Sequence, residues 1–227
     1  MAAVERDVRL LMLAASAGSA DAWSYFGLGH AFVANMTGNT VILGLAVFQD
    51  HGDMLHPAIA LGCYAAGAML GSLFTGKVQP GAVWARAISW TLMLEAFLLL
   101  AAEAGWIAIH LHINHSPSLE VLLGTLALAI GMQSGAMVQL KIPGIVTTYI
   151  TGTWTTMLSG LVRLGKQEQP QKQETQKRLA MQAAVLTAYF LSAVLAGWLF
   201  RHLPLAVGVL PGLSVLLVAV HGLMYND

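Results

Sequence analysis

Six stretches of this chain stay apolar for about the length that crosses a bilayer: 10–28, 54–76, 83–109, 119–139, 179–200 and 205–224. A hydrocarbon core of roughly 30 Å needs about 20 helical residues. Composition points the same way. The chain is 57% hydrophobic and only 10% charged, whereas soluble domains carry roughly 25% charged residues. Inside a bilayer the backbone must satisfy its own polar groups, so long apolar spans of this kind fold as helices. The expected fold is an all-α polytopic membrane helical bundle.

Two more apolar segments, 31–48 and 145–161, are too short to join that set. After Thr37 about 12 helical residues rise only about 18 Å. Each short segment opens on Thr-Gly: T-G-N at 37–39 and T-G-T at 151–153. Thr37 and Thr151 stand 114 positions apart, half of the 227 residues. The order span, short segment, span, span therefore occurs twice. This reads as an internal repeat, 1–115 and 116–227, within one membrane domain.

Lys and Arg orient the chain. With six spans and two re-entrant short helices, both termini are cytoplasmic, and every Lys and Arg except Arg201 is cytoplasmic too. The outer loops, 50–53 and 110–118, then carry none. With eight spans, Lys77, Arg86, Lys141 and Arg201 would all lie outside. The positive-inside bias selects six spans. Three spans per repeat is an odd number, so the second repeat enters the membrane inverted, as in many transporters. Arg6 and Arg9 before L-L-M-L, with A-S-A at 15–17, resemble a signal peptide. The counterpart of this region at 122–139 argues that it is instead the retained first span.

The candidate chemistry sits in these apolar segments. A charge at bilayer depth costs about 2.5–3.5 kcal/mol on insertion scales, so it marks function by default. Asp21 and Glu95 are such carboxylates, and both are candidates for proton coupling or a cation site. Glu103 lies nearer the outer boundary and is expected to be interfacial. Asn35, Thr37 and Thr151 are good helix N-caps. Two helix starts converging from opposite sides present free N–H groups and partial positive charge to an anion or polar oxygen. The expected solute-binding set is Asn35, Thr37, Gly38, Asn39, Thr148, Tyr149, Thr151, Gly152, Thr153 and Gln133. His30, beside the turn, is a candidate gate. The bland alternative is that T-G-N and T-G-T only pack tight helix starts, with the carboxylates hydrogen-bonded to neighbouring helices.

Other features are structural or exclude function classes. G-A-M-L-G at 67–71 and G-M-Q-S-G at 131–135 let helices approach closely, within the subunit or in a homodimer. Trp84, Trp106 and Trp198 fit an aromatic belt at span ends. The polar run 163–178 reads as a solvated linker. Zero net charge disfavours a nucleic-acid partner. His110, His112 and His115 lack zinc-ligand spacing, so no metal is expected. Thr75-Gly76-Lys77 lacks the upstream glycines of a phosphate loop, and no nucleophile or cofactor motif occurs. The chain is therefore expected not to be an enzyme and to need no cofactor. Its partners are expected to be the lipid bilayer and a small-molecule solute.

G-S-A-D-A-W-S-Y at 18–25, followed by H-A-F-V-A-N-M-T-G-N-T-V-I-L-G at 30–44, resembles the YoaK-like family of bacterial inner-membrane proteins. Length, segment order and the second Thr-Gly motif match as well. The resemblance implies a multi-pass protein of the bacterial inner membrane, of a kind sometimes labelled permease. It marks Asp21, Asn35, Thr37, Gly38 and Asn39 as motif positions and implies no substrate. The leading expectation is a proton-coupled secondary transporter of a small polar or anionic solute. A channel with paired half-helices, or a non-transporting helper that binds partners through 163–178, are the alternatives.

Overall fold

The structure, a computed structural model, describes residues 2–49, 52–78, 83–140, 150–165 and 168–225. Among these are eight α-helices: α1 (Ala2–Gly27), α2 (Met36–Ala46), α3 (Leu55–Thr75), α4 (Arg86–His110), α5 (Leu119–Val138), α6 (Ile150–Leu164), α7 (Gln171–His202) and α8 (Val209–Met224). A 3-10 turn, Pro204–Ala206, precedes α8. Five segments are long and apolar enough to cross a membrane: α3, α4, α5, α7, and Pro204–Met224 containing α8. α1 has the length, but Asp21 and four serine, tyrosine and tryptophan neighbours dilute its apolar character.

The two short segments are helical and short, as expected. α2 has 11 residues and α6 has 15. At about 1.5 Å per residue neither spans a 30 Å core. The polar run 163–178 is not the expected linker. Arg163 and Leu164 end α6, and 171–178 form the first two turns of α7. Lys, Gln, Glu and Arg are strong helix formers, so their polarity marks exposure and not irregular backbone.

α5 lies at the centre and is buried almost all round. It packs on α3 and α4, while α1 packs on α7 and α8, and α4 on α8. The α3–α5 seam explains both small-residue patterns. A Cβ at Gly67 or Gly71 would strike the carbonyl of Leu128 or Met132. Reciprocally, one at Gly131 or Gly135 would strike that of Tyr64 or Ala68. Backbones this close gain dispersion contacts along their whole length, the main attraction between helices surrounded by lipid. The same device joins α1 to α7, where a Cβ at Gly18 would meet the Tyr189 carbonyl.

α1 buries Leu10, Leu13, Ala17, Ala20 and Ser24 at three-and-four spacing, and its middle, residues 16–21, is buried all round. Two tryptophans depart from the expected belt. Trp84 and Trp106 are each 4% exposed. Their indole N–H groups donate to Ser89 Oγ at 2.9 Å and to the Pro204 carbonyl at 2.7 Å. An indole whose N–H finds a partner can be fully packed. Trp198 does stay exposed. Glu103 is also buried, not interfacial, and accepts the Gly208 N–H at the start of α8 at 3.0 Å.

Gly71→Val should force α3 and α5 apart and lower stability by about 1–3 kcal/mol. Gly62→Ala, whose Cβ would meet nothing within 4 Å, should be neutral or stabilising. Melting of the two purified variants in the same detergent checks the contrast.

Candidate functional site

Between α1 and α2 the chain leaves helical geometry for eight residues, 28–35. Gly29 (φ 89°) and His30 (φ 57°) both adopt left-handed backbone. Glycine accepts this freely, and histidine is among the side chains that tolerate it best. The His56 ring lies so close to Gly29 that a Cβ there would overlap it. His56 is itself held by Asp53, in the loop before α3. Slight burial works to raise the Asp53 carboxyl, but hydrogen bonds and charge from His56 outweigh it and hold that group below its ordinary value.

Much of the rest of the turn is buried, with Ala31, Val33 and Ala34 between 0% and 4% exposed. Buried, non-helical backbone leaves N–H groups without partners. Three side chains of the motif supply them. Asp21 Oδ1 accepts the N–H groups of Val33 at 2.8 Å, Ala34 at 2.6 Å and Asn35 at 3.4 Å. Asn39 Oδ1 accepts the Phe32 N–H at 2.8 Å, and Asn39 Nδ2 donates to the Phe32 carbonyl at 2.6 Å. Asn35 caps α2 by accepting the Gly38 N–H at 3.1 Å. The second oxygen of Asp21 accepts the Tyr189 hydroxyl from α7. The carboxylate thus ties together α1, the turn and α7.

Beyond Tyr189 lies a cavity of about 370 Å³. From the first short helix it is lined by Asn35, Met36 and Thr37, and from the second by Ile150 and Thr151. Tyr64 of α3, Ser134 of α5 and Tyr189 of α7 complete its polar wall. The two Thr-Gly helix starts therefore face one cavity. The wall offers hydroxyls, one amide and two phenol rings, and among the described residues none that lines it carries a charge. Such a wall exchanges hydrogen bonds with a small polar molecule and stacks against its flat parts. Among the described residues, no cluster of metal-ligating groups occurs.

Of the expected binding residues, Asn35, Thr37 and Thr151 reach the cavity. Gly38 and Asn39 stand behind it as part of the turn's scaffold. Thr153, at the position matching Asn39, is likewise buried at 1% exposure. Gly152 sits in the first turn of α6, where its carbonyl accepts the Thr156 hydroxyl at 2.9 Å. Thr148 and Tyr149 lie outside the described residues. Gln133 is fully buried away from the cavity and donates to the Leu13 carbonyl at 3.2 Å, joining α5 to α1. His30 is exposed in the turn, its ring tilted against Tyr25, and does not line the cavity. Glu95 is fully buried on α4, and neither carboxyl oxygen has a hydrogen-bond partner among the described residues. It does not line the cavity either.

Sequence reasoning missed Tyr64, Ser134 and Tyr189. Their only signal was a hydroxyl in the middle of an apolar span, which needs a partner there.

A helical bundle with several apolar spans and a cavity at two helix starts defines a multi-pass membrane protein. The chain matches the model of the family described as "Protein of unknown function (DUF1275)" over residues 9–221. It is 30% identical over 203 residues to the UPF0700 transmembrane protein YoaK of Bacillus subtilis (strain 168), covering 86% of this chain and 84% of that protein. The chain belongs to this family. No solved structure matches it.

Asp21→Ala removes the acceptor of the buried Val33 and Ala34 N–H groups, each worth about 1–3 kcal/mol when orphaned. Its melting temperature should fall well below that of Asp21→Asn, which keeps one carbonyl acceptor. Limited proteolysis should cut the Asp21→Ala protein faster within 28–35.

Proposed function

We propose that this protein is a secondary transporter, a permease, for a small polar or anionic solute in the bacterial cytoplasmic membrane. The observation that carries this reading is the single cavity faced by the starts of α2 and α6. In this reading α1, α3, α4, α5, α7 and α8 span the bilayer with both termini cytoplasmic, and α2 and α6 enter without crossing.

The helix pairing supports an inverted repeat. A twofold operation relating α1–α4 to α5–α8 turns the α1–α7 pair into α5–α3, α2–α3 into α6–α7, and α1–α8 into α5–α4. All of these pairs are packed, and α4–α8 maps onto itself. The close contacts follow the same rule: Gly18 meets the Tyr189 carbonyl as Gly131 meets that of Tyr64. Tyr64 of α3 and Tyr189 of α7 both line one cavity, and transporters of this architecture bind solute at the repeat interface.

The coupling proton is assigned first to Glu95. A buried carboxyl without a hydrogen bond is costly for a fold to keep, and packing gives no reason for it. Asp21 has four donors and is the second candidate, joined to the cavity by Tyr189.

The test begins with a thermal-shift screen of purified protein against small metabolites at two pH values, since a ligand of the folded state raises its melting temperature. A true solute should bind Thr151→Val and Tyr189→Phe at least about tenfold more weakly, roughly 1.4 kcal/mol. In proteoliposomes, Glu95→Gln should abolish solute-driven proton movement while binding persists. Undiminished binding in both cavity variants would remove the site; unchanged proton movement in Glu95→Gln would remove the coupling role.

A further inference from the structure

A second cavity, of about 300 Å³, opens between α6 and α7. It shares no lining residue with the first. Gly160 lines it, close enough to α7 that a Cβ there would press on Leu179. One turn earlier in α6, Thr156 Oγ1 accepts a hydrogen bond from the buried Gln182 at 2.8 Å. These two contacts set an antiparallel register, which brings Arg163 at the end of α6 opposite the first turns of α7, where Arg178 stands. Arg163 and Arg178 both line the cavity, together with Thr155, Thr156 and Ser159.

Among the described residues, no carboxylate lines this cavity. Glu168 and Glu174 are near in sequence, yet among the described residues no salt bridge or hydrogen bond joins either arginine to an acid. Both side chains are exposed, and an anion held between two arginines that have no counter-charge lowers their mutual repulsion. Planar guanidinium forks match tetrahedral oxyanions with paired N–H donors, and hydroxyls extend the donor set.

Depth narrows the ligand. α7 has 32 residues, about 48 Å of helix, against a hydrocarbon core of roughly 30 Å. Its polar first turns, with Lys172, Lys177 and Arg178, must lie beyond the core at the level of lipid head groups. We infer that Arg163 and Arg178 form a phosphate-binding site at the membrane surface, suited to the phosphate of an anionic lipid head group or to free phosphate.

The full-length protein in neutral detergent is melted with inorganic phosphate, with short-chain phosphatidylglycerol, and with phosphatidylcholine of the same chain length. A saturable rise in melting temperature is expected with one of the first two, exceeding that with phosphatidylcholine. A response to phosphatidylglycerol alone assigns the site to lipid, and a response to inorganic phosphate alone assigns it to a free anion. Arg163→Gln with Arg178→Gln should weaken that binding at least tenfold. Lys172→Gln with Lys177→Gln removes the same charge outside the cavity and should leave it intact. Arg163→Lys with Arg178→Lys, which keeps charge and loses the fork, should fall between, and stands in should the glutamine pair fail to fold. The proposal is overturned by the absence of any saturable shift, by an unchanged shift in the arginine variants, or by equal loss in the lysine control.

Discussion

Irregular backbone buried in an apolar bundle has to find hydrogen-bond partners inside the protein, and much of this structure follows from how it does so. The turn 28–35 leaves several N–H groups exposed to an apolar interior. Asp21 answers three of them with one carboxylate oxygen. Asn39 answers both the N–H and the carbonyl of Phe32. Asn35 then starts α2. The polar motif is thus first of all the internal solvent of its own backbone. This gives the D-A-W-S-Y and F-V-A-N-M-T-G-N strings a structural reason to occur together: they are two sides of one clamp.

The clamp also shapes what lies next to it. A turn that held itself together with water would leave the start of α2 mobile. Held by Asp21, the start of α2 presents Asn35 and Thr37 to the cavity from a fixed position. Tyr189 has a double engagement, its hydroxyl on Asp21 and its ring on the cavity wall. Any change at that phenol alters both the carboxylate that supports the turn and the surface that a solute would touch. Glu95 has no such structural employment, which is why it ranks ahead of Asp21 as the coupling group in the proposed mechanism.

Much of the fold was legible because its signals are local. The length of five of the six expected spans, the brevity of α2, the Asn35 cap and the small-residue seam of α3 and α5 can all be read from neighbouring residues. The cavity was legible only in part. Thr37 and Thr151 announced themselves by their matching positions. Tyr64 and Tyr189 did not, because their role depends on how α3 and α7 are rotated, and no local pattern carries that. Trp84 and Trp106 failed for a related reason: a tryptophan near a span end looks the same whether it faces lipid or finds a buried acceptor such as Ser89 or Pro204. Glu103 looked interfacial until α8 brought the Gly208 N–H to it. The run 163–178 misled because solvent exposure and loss of helix are different properties.

On the proposed repeat, the two half-sites are unequal. With Gly18 matched to Gly131, the counterpart of Asp21 is Ser134. A hydroxyl accepts fewer hydrogen bonds than a carboxylate and brings no charge to strengthen them. The counterpart of Asn39 is Thr153, which lacks the paired donor and acceptor that grip Phe32 from both sides. At these two positions the second half thus offers hydroxyls where the first offers a carboxylate and an amide.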